Sequence, residues 1–173
     1  MVNLSICIVN WNTRDLLEQC IRSIYENTKE EVFEIIVVDN ASSDDSVSMV
    51  KRKFPEVKLI ENKENLGFAK ANNQAMRISR GEYILLLNSD TIVLSRALDI
   101  MIDFMEKTPD AGACGPKLLY PDGSWQPSFG RFPSFYTELV DQFRFNFPPF
   151  SNVLPDRPKT VEKYLNKNGI IGV

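Results

Sequence analysis

The 173 residues contain no histidine. That excludes a Ser-His-Asp triad, a Cys-His pair, His-ligated zinc and a histidine general base. Acid–base or metal chemistry must therefore fall to carboxylates and amides. Cysteine is scarce: Cys7, Cys20 and Cys114 form no C-x-x-C pair, and an odd, widely spaced set builds no disulfide framework. They read as buried thiols in a reducing cytosol. No apolar run approaches the ~18–20 residues that span a bilayer. The opening residues 1–6 carry no basic region ahead of a long apolar stretch, so no secretory signal is expected. Basic excess is also lacking: 20 Lys and Arg face 23 Asp and Glu, a net charge of −3. This leaves no stripe for non-specific nucleic-acid binding. Neither G-x-G-x-x-G nor G-x-x-x-x-G-K-[ST] occurs, so dinucleotide-fold and P-loop readings lose support.

What is present is ordinary globular composition, 43% apolar and 25% charged, at the size of one domain with an appendage. Residues 4–9, 33–38, 57–60 and 83–87 are short apolar runs that read as strands, with a fifth extended segment over 111–119. Helical spacing appears between them. Leu16, Leu17, Cys20, Ile21, Ile24 and Tyr25 predict a helix near 13–27. Val47, Val50 and Phe54 predict one that is capped by the preceding serines and stopped by Pro55. Phe68, Ala71, Ala75 and Ile78 are expected to face inward from a helix near 68–79. Leu94, Leu98, Met101, Ile102 and Met105 do so for one near 95–107. Strand–helix alternation with near-continuous apolar strands predicts an α/β fold. Its sheet is Rossmann-like and mainly parallel, with helices on both faces and the strand C-termini along one edge. Ligands of open α/β sheets bind at that edge.

The polar clusters fall there: Asn10–Asn12, Asp39–Asp45 and Asn88–Asp90. Asn88-Ser89-Asp90 ends a strand with one carboxylate among short polar side chains, suited to a hard cation completed by substrate phosphates; the plainer reading is a turn. Asp39 could accept a hydrogen bond from a base or ribose, or close an Asx-turn. Asp44 and Asp45 are expected in a first helical turn, solvated. Asn65-Leu66-Gly67 leads into a helix N-terminus, where free N–H groups attract phosphate, or is simple punctuation. Beyond residue 120 the texture changes. Residues 121–158 hold seven of the ten prolines and seven of the eleven phenylalanines, with a short helix expected near 134–144. Such a stretch could meet a lipid-linked partner, but core packing or packing against another chain is favoured.

Taken together, Ser5 to Asn12, Val37 to Ser42, Asn65 to Ala69 followed by Asn72-Asn73, and Leu86 to Thr91 resemble family 2 glycosyltransferases, in the same order and at matching spacing. Gly115 to Leu119, Asp122 to Ser124 and Arg131 to Ser134 resemble its rhamnosyltransferase-like branch. The resemblance covers roughly residues 3–135. It implies a GT-A fold, a nucleotide-diphosphate sugar donor (dTDP or UDP), Mg²⁺ or Mn²⁺, and inversion at the anomeric carbon. The acceptor would be a saccharide or lipid-linked hydroxyl. By position, Val9, Asn10 and Asn12 would line the nucleotide and Asp39 would bind the base. Asn65 and Gly67 would lie beside it. Asn88, Ser89 and Asp90 would stand at the D-x-D-type motif, with Asp90 as metal ligand and Asn88 in place of the first carboxylate. Residues 1–120 would then be the donor-binding half, and 121–173 what remains of the acceptor side.

The family's acceptor-side half, with a Gly-Ala segment and an acidic motif holding the base, finds no counterpart up to Val173. Asp122, Glu138 and Asp141 are base candidates through acidity alone. The accompanying expectations are a cytoplasmic protein touching the inner face of a membrane, association between copies, and exposed apolar surface over 121–173. A nucleotide-sugar-binding module without turnover is the alternative. A receiver domain would need acidic residues after the first strand and a phosphoacceptor Asp after the third, where Asn10 and Glu61-Asn62 stand. A nucleotidylyltransferase would need a Gly-rich basic loop where Asn10 to Arg14 lies.

Overall fold

The computed structural model describes residues 2–29, 32–128 and 171–172. These group into two compact units, one through Ile102 and one from Asp103 onward. The boundary falls inside a helix, earlier than the functional division expected at residue 120.

The first unit alternates strand and helix: β1 (Leu4–Asn10), α1 (Arg14–Asn27), β2 (Phe33–Asp39), α2 (Ser46–Lys53), β3 (Lys58–Glu61), α3 (Phe68–Ile78), β4 (Tyr83–Asn88) and the start of α4 (Ala97–Lys107). The four strands form one sheet in the order β3-β2-β1-β4, every neighbouring pair parallel. This is the sheet that alternation predicts, with each strand one residue off at the C-terminal end; Asn10, Asp39 and Asn88 are the last residues of their strands rather than the first of the loops.

Strand periodicity of two divides the core into two layers. On one face Cys7, Ile36 and Val38 pack with Ala71 and Ala75 of α3, and Val9, Ile60 and Met76 close round them. The small alanines let α3 lie close to the sheet. On the other face Leu17, Cys20, Ile21 and Ile24 of α1 and Met49 and Val50 of α2 are buried, as are Ile6, Ile8, Ile35 and Val37. Tyr25 of α1 tilts on Phe33 and stacks near Phe54, with centroids 5.6 and 6.3 Å apart.

Several expected inward residues point out. Phe68 is 59% and Ile78 42% exposed, because the alanine stripe of α3 takes the sheet contact and leaves both flanks of the helix in solvent. Leu94 is also exposed: α4 begins three residues later, after Arg96 takes a left-handed φ of 58°. Met49, not Val47, shares the buried face of α2 with Val50.

The edge away from the polar clusters is tied by one carboxylate. Glu34 accepts from Ser5 Oγ at 2.7 Å, from the Arg80 backbone N–H at 2.7 Å, and from the Arg80 guanidinium, and it pairs with Lys58 Nζ at 2.7 Å. It thus joins β1, β2, β3 and the turn into β4. Gly81 sits in that turn against β1; a Cβ there would stand 2.5 Å from the Ser5 nitrogen, a backbone atom that cannot yield.

In the second unit β5 (Cys114–Gly115) pairs antiparallel with β8 (Ile171–Gly172), and β6 (Leu118–Leu119) with β7 (Trp125–Gln126). The expected single extended segment over 111–119 is therefore two short strands. The β6–β7 turn is closed by Asp122, which accepts from the Ser124 N–H and hydroxyl, while Gly123 supplies φ 81°. The helix expected near 134–144 and most of the Phe- and Pro-rich stretch lie outside the described residues.

Burial opposes ionisation of Glu34, but Lys58, Ser5 and Arg80 outweigh it and bring its carboxyl from the ordinary 4.5 to about 2. A depressed folded value means that the stabilisation is complete above about pH 4.5 and is lost as pH falls towards 2. Glu34→Gln should cost about 1–3 kcal/mol at pH 7 and flatten the pH dependence of stability across that window. Urea unfolding at pH 7 and pH 3 checks both; equal acid sensitivity in wild type and variant would move the effect elsewhere.

Candidate functional site

Because β1, β2 and β4 run parallel, their last residues share one edge, where Asn10 pairs in register with Asp39 and Val9 with Asn88. Side chains paired in register lie on the same face. Asn10 and Asp39 therefore lie on the α1–α2 side, and Asn88 rises on the α3 side next to Val9.

Asn10 and Asp39 are buried polar groups, 0% and 2% exposed, and such groups persist only when bonded. Asn10 Nδ2 donates to Asp39 Oδ2 at 2.8 Å and to Ser42 Oγ at 3.1 Å, and the Ser42 N–H donates to Asp39 Oδ1 at 2.8 Å. Asp39 thus closes the turn after β2 on an amide three residues on, one residue further than the expected Asx-turn, and each oxygen keeps a further lone pair. Asn12 joins the same cluster: its N–H reaches Ser42 Oγ at 2.9 Å and its Oδ1 takes the Ser43 N–H at 2.8 Å. These contacts need tight turns. Asn12, Ala41 and Asp45 adopt φ of 53°, 64° and 62°, a left-handed region that L-residues seldom enter.

Asp44 departs from the solvated role expected of it. Half-buried, it accepts the Arg14 N–H at 2.8 Å, the Ser46 N–H at 3.2 Å and the Ser46 hydroxyl at 2.5 Å. One carboxylate thus serves the first turns of α1 and α2 together. Asp45 is the N-cap residue in left-handed backbone and makes no side-chain cap, and the serines expected to cap α2 do not. Burial raises the Asp44 pKa, but the Ser46 hydroxyl and the Arg14 and Ser46 amides bring it below the ordinary carboxylate value.

Val9 packs its side chain into the α3-side core, so only its backbone faces the edge. Asn65 Oδ1 takes the Gly67 N–H at 2.9 Å, closing the turn before α3, where Gly67 has φ 80°. That turn is joined to the edge by Asn40, which reaches the Gly67 carbonyl at 3.5 Å and accepts from Asn62 Nδ2 at 2.9 Å.

After β4, Ser89 is half-buried and turns to the α1 side, where its Oγ lies 2.9 Å from Thr13 Oγ1. Asp90 is exposed. The chain beyond is held by α1: the Val93 N–H donates to Ser23 Oγ at 2.9 Å and Asn27 Nδ2 donates to the Val93 carbonyl at 3.1 Å. Cys20 lies beneath, and burial with the nearby Asp90 charge raises its thiol to about 12. Sequence reading gave no site role to Thr13 and Ser42 and set Asp44 aside as a solvated first-turn residue. Their sequence signal, a Thr one residue before a helix and a Ser-Ser-Asp run, is indistinguishable from helix capping.

The glycosyl transferase family 2 model matches residues 5–159, and the chain belongs to that family. A poly(ribitol-phosphate) β-glucosyltransferase of Bacillus spizizenii is 28% identical over 98% of this chain and 30% of its own length. An N-acetylglucosaminyl-diphospho-decaprenol L-rhamnosyltransferase of Mycobacterium tuberculosis is 28% identical over 76% of this chain and 46% of its own. The chain thus spans less than half of either relative. Among solved structures, S. aureus TarS 1-349 superposes with a TM-score of 0.63 at 20% identity, covering 73% of this chain and 39% of that one. The mannosyltransferase PcManGT from Pyrobaculum calidifontis, in complex with GDP-Man and Mn²⁺, gives 0.61 at 26% identity, covering 69% and 36%. The fold is the GT-A fold of these glycosyltransferases.

The double cap has a direct test. Asp44→Ala should lower stability by about 1–2 kcal/mol, the scale of a lost N-cap, and speed amide exchange at the starts of both helices. Denaturant unfolding with amide hydrogen exchange reads it; protection lost at α2 alone would limit Asp44 to a local cap.

Proposed function

We propose that this chain is the donor-binding part of an inverting glycosyltransferase that moves a sugar from a dTDP- or UDP-sugar to a saccharide or lipid-linked hydroxyl. The observation that carries the reading is the shared edge: Asn10, Asp39 and Asn88 end three neighbouring strands there, and Ser89-Asp90 follows directly. Family membership and the relatives' names support it, two of them being transferases of glucose and rhamnose.

Asp39 would accept from the base through its spare lone pairs, with Val9 backbone, Asn10 and Asn12 alongside and the Asn65–Gly67 turn flanking the nucleotide. Asn88 would meet the ribose or metal-bound water. Among the described residues no group of three His, Cys, Asp or Glu converges. Asp90, an exposed carboxylate directly after Ser89, still fits a hard cation that draws most of its ligands from a diphosphate. The neighbour containing GDP-Man and Mn²⁺ supports such a pairing. Asp90 would hold Mg²⁺ or Mn²⁺, and that cation would offset charge growing on the departing diphosphate.

The general base would be Asp or Glu, since no histidine exists. Asp122 is a poor choice: the Ser124 hydroxyl and amide hold its carboxyl below the ordinary range. Glu138 and Asp141 lie outside the described residues. Among the described residues no helix is long and apolar enough to cross a membrane. We place the reaction at the cytoplasmic face of a membrane, with the aromatic-rich 121–173 segment meeting the acceptor or a second copy. Nucleic acid has no part in it, given the net charge of −3.

Calorimetric titration with UDP, dTDP and GDP, each with Mn²⁺ or with chelator, tests the donor site. Asp39→Asn should weaken nucleotide about tenfold in both buffers, the scale of one hydrogen bond to a charged group. Asp90→Asn should remove the metal-dependent gain and keep the rest. Equal affinities in wild type and both variants would remove these residues from the site.

A further inference from the structure

The base-side cluster and the Ser89-Asp90 turn are joined through side chains, and the protons on that path have only one arrangement. Asp39 is an acceptor, so the Asn10 group 2.8 Å from it is the amide nitrogen, and Asn10 Oδ1 must face Thr13. Thr13 Oγ1 lies 2.7 Å from that oxygen and carries one proton, which it gives to Asn10. Ser89 Oγ, 2.9 Å from Thr13 Oγ1, must then donate to it. The donors run Ser89 to Thr13 to Asn10 to Asp39, every dipole pointing at one buried carboxylate, so that each bond polarises the next.

Two consequences follow. Ser89 has no proton left for the open edge and offers only lone pairs there. It therefore suits a cation, a metal-bound water or a ribose hydroxyl, and not a phosphate oxygen. Thr13 is the single side chain through which this path passes from the loops after β1 and β2 to the turn after β4.

We propose that Thr13 is a positioning residue that couples the two ends of the donor site, holding Ser89 and Asp90 in register with Asp39 so that nucleotide and divalent cation strengthen each other's binding. The inference rests on the donor-site reading above and assigns the coupling to a particular hydroxyl.

The test is nucleotide titration with Mn²⁺ and with chelator on wild type, Thr13→Val, Thr13→Ser, Ser89→Ala and the double variant Thr13→Val/Ser89→Ala, each first checked for a cooperative thermal transition. Thr13→Val, isosteric but without the hydroxyl, should lose about fivefold or more of the Mn²⁺-dependent gain, the lower range of ordinary coupling, the gain being the ratio of affinities with Mn²⁺ and with chelator, so that any change at Asn10 common to both buffers cancels. Thr13→Ser should restore the gain. Ser89→Ala, which also removes the lone pairs that Ser89 turns to the edge, should lose at least as much of the gain and carries the test should Thr13→Val fail to fold. The double variant should lose no more than Ser89→Ala alone. A wild-type gain in Thr13→Val, or a Thr13→Ser as impaired as Thr13→Val, overturns the proposal. Nucleotide binding to wild type that ignores Mn²⁺ overturns the coupling and leaves the donor site standing. No nucleotide binding in either buffer overturns the donor site itself.

Discussion

The hydrogen bond from buried Asn10 to buried Asp39 is the contact on which the polar edge depends. Two strands end side by side there, and their last residues would each bury an unpaired polar group without the other. An unmet amide or carboxylate in such a place costs several kcal/mol at the upper end. Pairing removes that penalty and fixes where both loops start. Ser42 fastens the second loop across the first, and Thr13 extends the fastening to the turn after β4. The edge is thus an arrangement set by strand register, with loops hung from it.

The opposite edge solves a different problem. Glu34 gathers two cations, a hydroxyl and an amide, and Gly81 lets the chain pass close to β1 before β4 begins. Charge there is consumed internally and serves assembly of the sheet. At the polar edge Asp90 is exposed, and Asp39 retains acceptor capacity despite its internal bonds. The difference between a structural and an available carboxylate lies in how many donors already face it.

Much of the fold was legible because apolar runs and helical spacing respond to burial directly. β1, β2 and β4 were found to within a residue at their ends, and so was the edge carrying Asn10, Asp39 and Asp90. What escaped depends on distance in space. Phe68 and Ile78 fit the helical stripe yet point outward, since the sheet contact of α3 is made by Ala71 and Ala75, whose smallness periodicity does not weigh. Asp44 looked like a solvated first-turn residue because its second client, the Arg14 amide, lies thirty residues away. Thr13 looked like a helix-capping residue; its partners Asn10 and Ser89 end β1 and follow β4, and nothing in the sequence joins them. The family resemblance read from the motif order agreed with the family match, and it showed none of the bonds between the motifs.

The three left-handed residues at the polar edge restrict which sequences can replace this one. Asn12, Ala41 and Asp45 hold φ values that disfavour Val, Ile and Thr, and a single such residue there would cost about 1–2 kcal/mol. Mutational drift in these loops is therefore filtered by backbone shape before any ligand is met. Positions 41 and 45 should accept glycine or asparagine freely in a deep substitution library, and all three should reject β-branched residues even under selection for folding alone. Tolerance at the exposed Asn88 and Asp90 would instead be decided by chemistry.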